Sequence, residues 1–168
     1  MKGYLLDTST LSAYYTPGHP NHQAAKRAID ELPTDSAKLV SVITLAECDY
    51  GVRFAERKSG SPLPELRDKL KSISEYAKLR ITHHTSEDYA ELKNMVAARS
   101  QFTKRERMPK YLEDWIDRGS GQRLQLGEND LWICAQAKEH DLILIASDRD
   151  FQRFADADSR VRLILALD

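Results

Sequence analysis

The run LILIA at 142–146 is five apolar residues without a polar break, and it ends in Ser147-Asp148-Arg149-Asp150. A strand with no alternation has no solvent face, so it needs cover on both sides, as in a parallel sheet held between helices. A carboxylate placed where such a strand stops is costly unless something satisfies it. Residues 126–151 therefore read as a unit: a helix starting around Asp130, a break near His140, a buried strand, and an acidic tip.

The same arrangement recurs upstream. A short strand at 3–6 is closed by Asp7, with Thr8, Ser9 and Thr10 offering caps for the helix that follows. KLVSVIT at 38–44 is rich in β-branched residues and reads as a second buried strand. Glu47 lies three residues further on, in the first turn of the next helix. An amphipathic helix is expected over 65–79, with Leu66, Leu70, Ile73 and Ala77 on one face, then a short strand at 80–82. Thr85 and Asp88 have capping-box spacing, and a last strand is expected at 160–167. Strands alternating with helices over 168 residues argue for one α/β domain with a mainly parallel sheet. Residues 100–125 break the rhythm as a charged insertion, with a helical piece at 109–116.

Composition narrows the function classes. A formal charge of −1 gives no bulk attraction for phosphate, so any such attraction is local or carried by a metal. Cys48 and Cys134 match no zinc spacing and read as reduced thiols packed in the core. The apolar run at the N-terminus is too short for a signal peptide and nothing is long enough to span a membrane, so the expected location is cytoplasmic.

In a parallel sheet Asp7, Glu47 and Asp148 share the carboxyl edge, where open α/β sheets place their sites. Asp130 joins them only if its helix starts near that edge. A helix N-terminus relieves a carboxylate by roughly 0.3–1 kcal/mol. Two carboxylates about 5 Å apart repel by about 3 kcal/mol at an effective dielectric near 20. Repulsion wins, so a cluster needs a cation. Hard oxygen donors without a cysteine or histidine pattern select Mg²⁺ or Mn²⁺, the usual instrument of phosphodiester hydrolysis. Taken singly, each of these acids also serves as a helix cap.

YLLDTSTLS at 4–12, SVITLAECDYGV at 41–52 and GENDLWICAQAKEHDLILIASDRDF at 127–151 together resemble the PIN domain, and within it the VapC-type toxins of toxin–antitoxin pairs. The resemblance implies a three-layer sandwich with strand order 3-2-1-4-5, which brings Asp130 to the site. It implies Mg²⁺- or Mn²⁺-dependent endoribonuclease activity, leaving a 3′-hydroxyl and a 5′-phosphate. Asp7, Asp130 and Asp148 would hold the metal, with Glu47 as a further ligand or water orienter and Asp150 as an auxiliary ligand. Implied partners are RNA, a VapB-like antitoxin whose tail enters the acidic groove, and a second copy meeting at the 65–79 helix or at the one after Glu47. Family members often carry asparagine where Ser9 stands; Ser9 and Ser147 are expected to orient carboxylates or a metal-bound water.

Basic and aromatic residues of the insertion, Lys104, Arg105, Arg107 and Trp115 among them, are candidate RNA contacts; packing of Leu112, Trp115 and Ile116 on the core is the alternative. His19 and His22 follow the first helix, and His83-His84 precedes a capped one; a surface role suits both pairs. A haloacid-dehalogenase-type phosphatase would want an aspartate where Ser9 stands, and no lysine closes a late strand as a receiver domain requires. An inactive module binding RNA or protein on the same fold is the alternative from another class.

Overall fold

The computed structural model describes residues 3–100, 109–117 and 121–168. Five strands are present: β1 (Gly3–Leu6), β2 (Ala37–Ser41), β3 (Ala77–Leu79), β4 (Ile143–Ala146) and β5 (Arg162–Leu165). All neighbours pair in parallel, and the sheet runs β3-β2-β1-β4-β5. The implied order is the observed one. The chain winds outward from β1 in both directions, so the switch point lies between β1 and β4, where ligands of such sheets bind.

Alternate side chains of the central strands serve two cores. Leu5, Leu144 and Ala146 meet Leu92 and Val96 of α5 (His83–Arg99), Leu131 and Ile133 of α6 (Glu128–Glu139), and Phe151 and Phe154 of α7 (Phe151–Ala157). On the other face Tyr4, Leu6, Val40 and Ile145 meet Leu11 of α1 (Thr8–Tyr14), Ile29 of α2 (His22–Asp30) and Ile73 of α4 (Pro64–Ile73). The 18-residue α3 (Val42–Ser59) touches both: Ile43 packs against the first core, Leu45 and Cys48 against the second. It therefore crosses the carboxyl edge and carries Glu47 over the strand ends. Gly60 stops it in a left-handed conformation at φ 72°, where a side chain would be strained.

Three boundaries differ from the sequence reading. β2 ends at Ser41, whose hydroxyl accepts from the Ile43 N–H at 2.9 Å, so Val42, Ile43 and Thr44 are helical. A good cap outweighs the modest helical penalty of β-branched residues. Glu47 consequently sits in the second turn of α3, beyond the free N–H groups. α4 stops at Ile73, and the third strand is 77–79 rather than 80–82. The capping box of α5 pairs Thr82 with Thr85, which frees Asp88 for other work.

That work is a buried ion cluster. The Lys138 side chain on α6 is fully buried, with its Nζ 2.7 Å from Glu91, 2.8 Å from Asp158 and 3.2 Å from Asp88. Arg160 reaches Glu91 and Asp158 from the solvent side at 2.5 and 3.5 Å. The cluster ties α5, α6 and the turn before β5 together.

Candidate active site

Asp7 follows β1, caps α1, and is 2% exposed. Its Oδ2 accepts from the Ser9 N–H at 2.8 Å and from the Ser9 hydroxyl at 2.6 Å. Its Oδ1 is buried and has no hydrogen-bond partner among the described residues. Burial pushes the Asp7 carboxyl up to about 6; the bonds from Ser9 oppose this, and the charge of Glu47 adds to it. Ser9 also accepts from the Ser147 N–H at 3.0 Å, so one serine joins the ends of β1 and β4 and fixes the Asp7 rotamer.

Glu47 is half-buried and doubly engaged: Oε2 accepts from the Thr8 hydroxyl at 2.5 Å, and Oε1 from the Asn129 amide at 2.8 Å. Asp130 lies in the first turn of α6, where its Oδ2 accepts from the Gly127 N–H at 3.2 Å. Its carboxyl is pushed up to about 7, first by burial, then by the charges of Asp7 and Glu47, with a smaller contribution from Asp148. The four acids thus share one electrostatic environment at the switch point. Asp148 is exposed two residues past β4, its Oδ1 accepting from the Asp150 N–H at 2.9 Å. Burial and then Asp148 raise the carboxyl of Asp150. Desolvation is the largest cause at Asp7, Asp130 and Asp150, ahead of the mutual repulsion that the sequence reading emphasised.

Among the described residues no three acidic, histidine or cysteine side chains already form a coordination shell. Glu47 and Asp148 are turned to protein donors. The donor set nevertheless fits a hard divalent cation: oxygen ligands throughout, one buried oxygen without a partner, and two carboxyls that resist ionising without a counter-charge. Burial pushes the Cys48 thiol up to about 11 and raises that of buried Cys134 as well.

The start of α6 is held from outside. Gly127 has no side chain to cap the helix, and the Glu128 N–H instead donates to Glu113 Oε1 at 2.9 Å. Glu128 in turn accepts from the Leu112 N–H at 2.9 Å, from Lys93 at 2.5 Å and from the Tyr89 hydroxyl. Residues 109–117, a 3₁₀ turn at Leu112–Asp114 rather than the helix expected at 109–116, thereby clamp the turn that carries Asp130. A Cβ at Gly127 would stand 2.7 Å from Asp130 Oδ2. Its φ of −91° suits any residue, so Gly127→Ala is expected to fold normally while forcing the Asp130 carboxylate off its N–H. The loss of RNA cleavage should approach about 100-fold, the scale of an ångström misplacement. Circular dichroism and kcat/KM on one preparation check both halves.

Other expectations fare unevenly. Trp115 is 2% exposed, packed with Leu112 and Leu124 and donating to the Pro109 carbonyl at 2.9 Å; it cannot stack a base, and the core-packing alternative holds for Leu112 and Trp115, whereas Ile116 is 43% exposed. Lys104, Arg105 and Arg107 lie outside the described residues. Ser147 donates its hydroxyl to Thr10 at 3.3 Å instead of to a carboxylate, which ties β4 to α1. His22 and His19 bond local backbone, while His83 and His84 are exposed beside Glu87. Asn129 and Gly127 were not singled out in the sequence, and Thr8 only as a candidate helix cap, although each is adjacent to, or within three residues of, an acid already singled out.

A family model for the PIN domain matches residues 4–157. No curated protein matches the chain. Among solved structures, the chain is similar to one from the VapBC2 complex of Rickettsia felis bound to a promoter DNA fragment (18% identity, TM-score 0.67, covering 97% of this chain and 98% of that one). A chain of DNA-bound VapBC from Salmonella typhimurium gives 20% identity and a TM-score of 0.64 over 99% of each chain. VapC20 of Mycobacterium tuberculosis, described as a sarcin–ricin loop cleaving toxin, gives 17% identity and a TM-score of 0.55, covering 89% of this chain and 92% of that one. At these identities the likeness is one of fold.

Proposed function

The chain belongs to the PIN-domain family, and on that premise we propose that it is a Mg²⁺- or Mn²⁺-dependent endoribonuclease, the toxin of a VapBC-type pair. What supports the reading is Asp7 following β1 and Asp148 following β4 at one edge of the sheet, the charges of Asp7, Glu47 and Asp148 all acting on Asp130, and Asp7 Oδ1 buried without a hydrogen bond among the described residues. Asp7, Asp130 and Asp148 would hold the cation, with Glu47 and Asp150 as further ligands. When bound, the ion supplies an activated water and offsets charge on the phosphate.

The chain's own residues do the rest. Ser9 keeps Asp7 Oδ2 occupied and so presents Oδ1 as the free donor. Thr8 and Asn129 hold the Glu47 carboxylate from both sides, which orients it without burying it. The first turn of α6 gives the Asp130 anion a favourable dipole.

A surface cavity of about 350 Å³ begins at Thr8 and Glu47 and runs between α1, α3 and α4, lined by Leu11, Tyr15, Leu66, Leu70 and Ile73. Its largely apolar walls, with Lys69 among them, end at the Glu47 carboxylate, which suits an antitoxin tail with hydrophobic anchors and a basic residue placed at Glu47. Solved relatives include antitoxin complexes, which supports a VapB-like partner. Homodimerisation belongs to the same proposal. Among the described residues no helix is long and apolar enough to cross a membrane; a cytoplasmic site of action is part of the same proposal.

The test is cleavage of 5′-labelled RNA in Mn²⁺ or Mg²⁺. Cleavage to 3′-hydroxyl ends that stops with chelator and returns with metal is the expected result. RNA binding without cleavage in either metal would return the chain to the binding-module alternative.

A further inference from the structure

One turn beyond Glu47, and away from the tail cavity, α3 carries Tyr50, which is 67% exposed, and then Phe54, 45% exposed. Their rings lie 6.0 Å apart at 31°, and the Arg57 guanidinium stands 5.3 Å over the Phe54 ring. Glu47, Tyr50, Phe54 and Arg57 recur at helical spacing, so they form one stripe about 15 Å long at 1.5 Å per residue. A hollow of about 390 Å³ opens beside the stripe, lined by Val42, Ile43, Ala46, Glu47, Tyr50 and Asn129. It shares Glu47 with the acid cluster. Its walls are apolar except at Glu47 and at the Asn129 amide, which also bonds Glu47.

We propose that this hollow, with Tyr50 as its stacking face, receives an unpaired nucleobase of the RNA strand next to the bond that is cut. The proposal rests on the nuclease reading for the phosphate position and goes beyond it in assigning the base. A strand with one phosphate among the carboxylates has to lay its neighbouring base within a few ångströms, and Tyr50 is the most exposed of the large hydrophobic side chains among the described residues and joins the site through Glu47. A base is flat and apolar on its faces with polar edges, matching a Tyr ring beside an Ala/Val/Ile floor and one amide. Paired bases have no free face to offer, so the substrate class is a loop or single strand.

A second copy of the chain is the competing occupant. Two partly exposed rings offer only roughly 200 Å², since a whole aromatic side chain buries 150–250 Å². A stable interface needs about 800 Å² per partner. Asp49 and Arg53, paired at 2.9 Å, flank the stripe and keep it narrow. That width fits a strand better than a protein face.

The test uses the full chain and a fluorescent single-stranded RNA. Binding anisotropy is read with Asp7→Asn, which carries no cleavage, in Tyr50, Tyr50→Phe and Tyr50→Ala forms. Cleavage kinetics are read for Tyr50→Ala and Tyr50→Phe in the otherwise unaltered chain. Tyr50→Ala should weaken binding and raise KM by about tenfold or more, with kcat changed far less, and Tyr50→Phe should hold most of the affinity. An abasic substitution at one position beside the cut should erase the difference between Tyr50 and Ala. Equal affinities, or a Tyr50→Ala loss unchanged at every abasic position, would overturn the proposal. So would a loss that tracks conversion from dimer to monomer in sedimentation, which assigns the stripe to a second copy. The binding arm needs no catalysis, so a chain that binds through Tyr50 without cutting in either metal would defeat the nuclease reading and leave Tyr50 as a base contact alone.

Discussion

Asp7→Asn should abolish RNA cleavage and at the same time stabilise the metal-free protein. Both effects come from one cause. The Asp7 carboxyl is buried and lifted from its ordinary 3.8 to about 6. At 1.36 kcal/mol per pKa unit, ionising it at neutral pH costs the folded chain roughly 3 kcal/mol. Asparagine keeps an oxygen for the two Ser9 donors and removes the charge. A gain of roughly 1–3 kcal/mol in denaturant unfolding without metal is therefore expected. Loss of a metal-binding anion should cost activity on the order of a thousandfold.

The pH dependence carries the same sign. A carboxyl raised on folding binds more protons in the native than in the unfolded state between its two pKa values. Stability from Asp7 is present below 3.8 and declines as pH rises to about 6; for Asp130 the decline continues to about 7. Metal-free wild type should thus weaken across that window, and Asp7→Asn should flatten the part that belongs to Asp7.

Lys138→Met should cost about 3–5 kcal/mol, the penalty for breaking a buried pair by removing one partner. Asp158 is 4% exposed and would be left with Arg160, itself 55% exposed and 3.5 Å away. Asp88 and Glu91 have solvent or Arg160 to turn to, so the stranded charge is Asp158. At about 2–4 °C per kcal/mol for a chain of this size, Tm should fall by about 6–20 °C. Lys138→Met with Asp158→Leu should recover most of the loss, because the uncompensated anion goes with it. Here the linkage runs the other way. Burial raises the Asp158 carboxyl, but the bonds from Lys138 and Arg160 outweigh it and the net displacement is downward; Glu91 is lowered by Lys138 and Arg160. Their stabilisation is present above the ordinary 3.8 and 4.5 and is lost as pH falls through the lowered values. With the acid site favouring low pH and this cluster failing in acid, metal-free stability should peak below neutrality.

The central strands were legible because burial on both faces writes itself as an unbroken apolar run, and the acids at their ends followed from that. The strand order came with the family resemblance, and so did the place of Asp130. Edges were harder. Ala77 and Lys78 are exposed and Leu79 half-buried on the rim of the sheet, and no pattern separates them from the end of the preceding helix. Val42, Ile43 and Thr44 look like strand until Ser41 is seen to cap them. Trp115 beside basic residues suggested a surface; composition does not say which side of a segment faces in. The bonds from Thr8 and Asn129 to Glu47 cross 39 and 82 positions, so no local signal announces them. The Glu113–Glu128 clamp is equally silent, being made by two acids of ordinary surface type.

The most direct measurement is calorimetric titration of Mn²⁺ and Mg²⁺ into wild type, Asp7→Asn and Asp130→Asn at pH 7, with Tm read on the same samples. Saturable uptake at millimolar metal or below by wild type, with a raised Tm, and its loss in both variants is the predicted result. A folded wild type that takes up no ion at millimolar supply, or variants that bind as well as it does, would contradict the convergence of these acids on one cation.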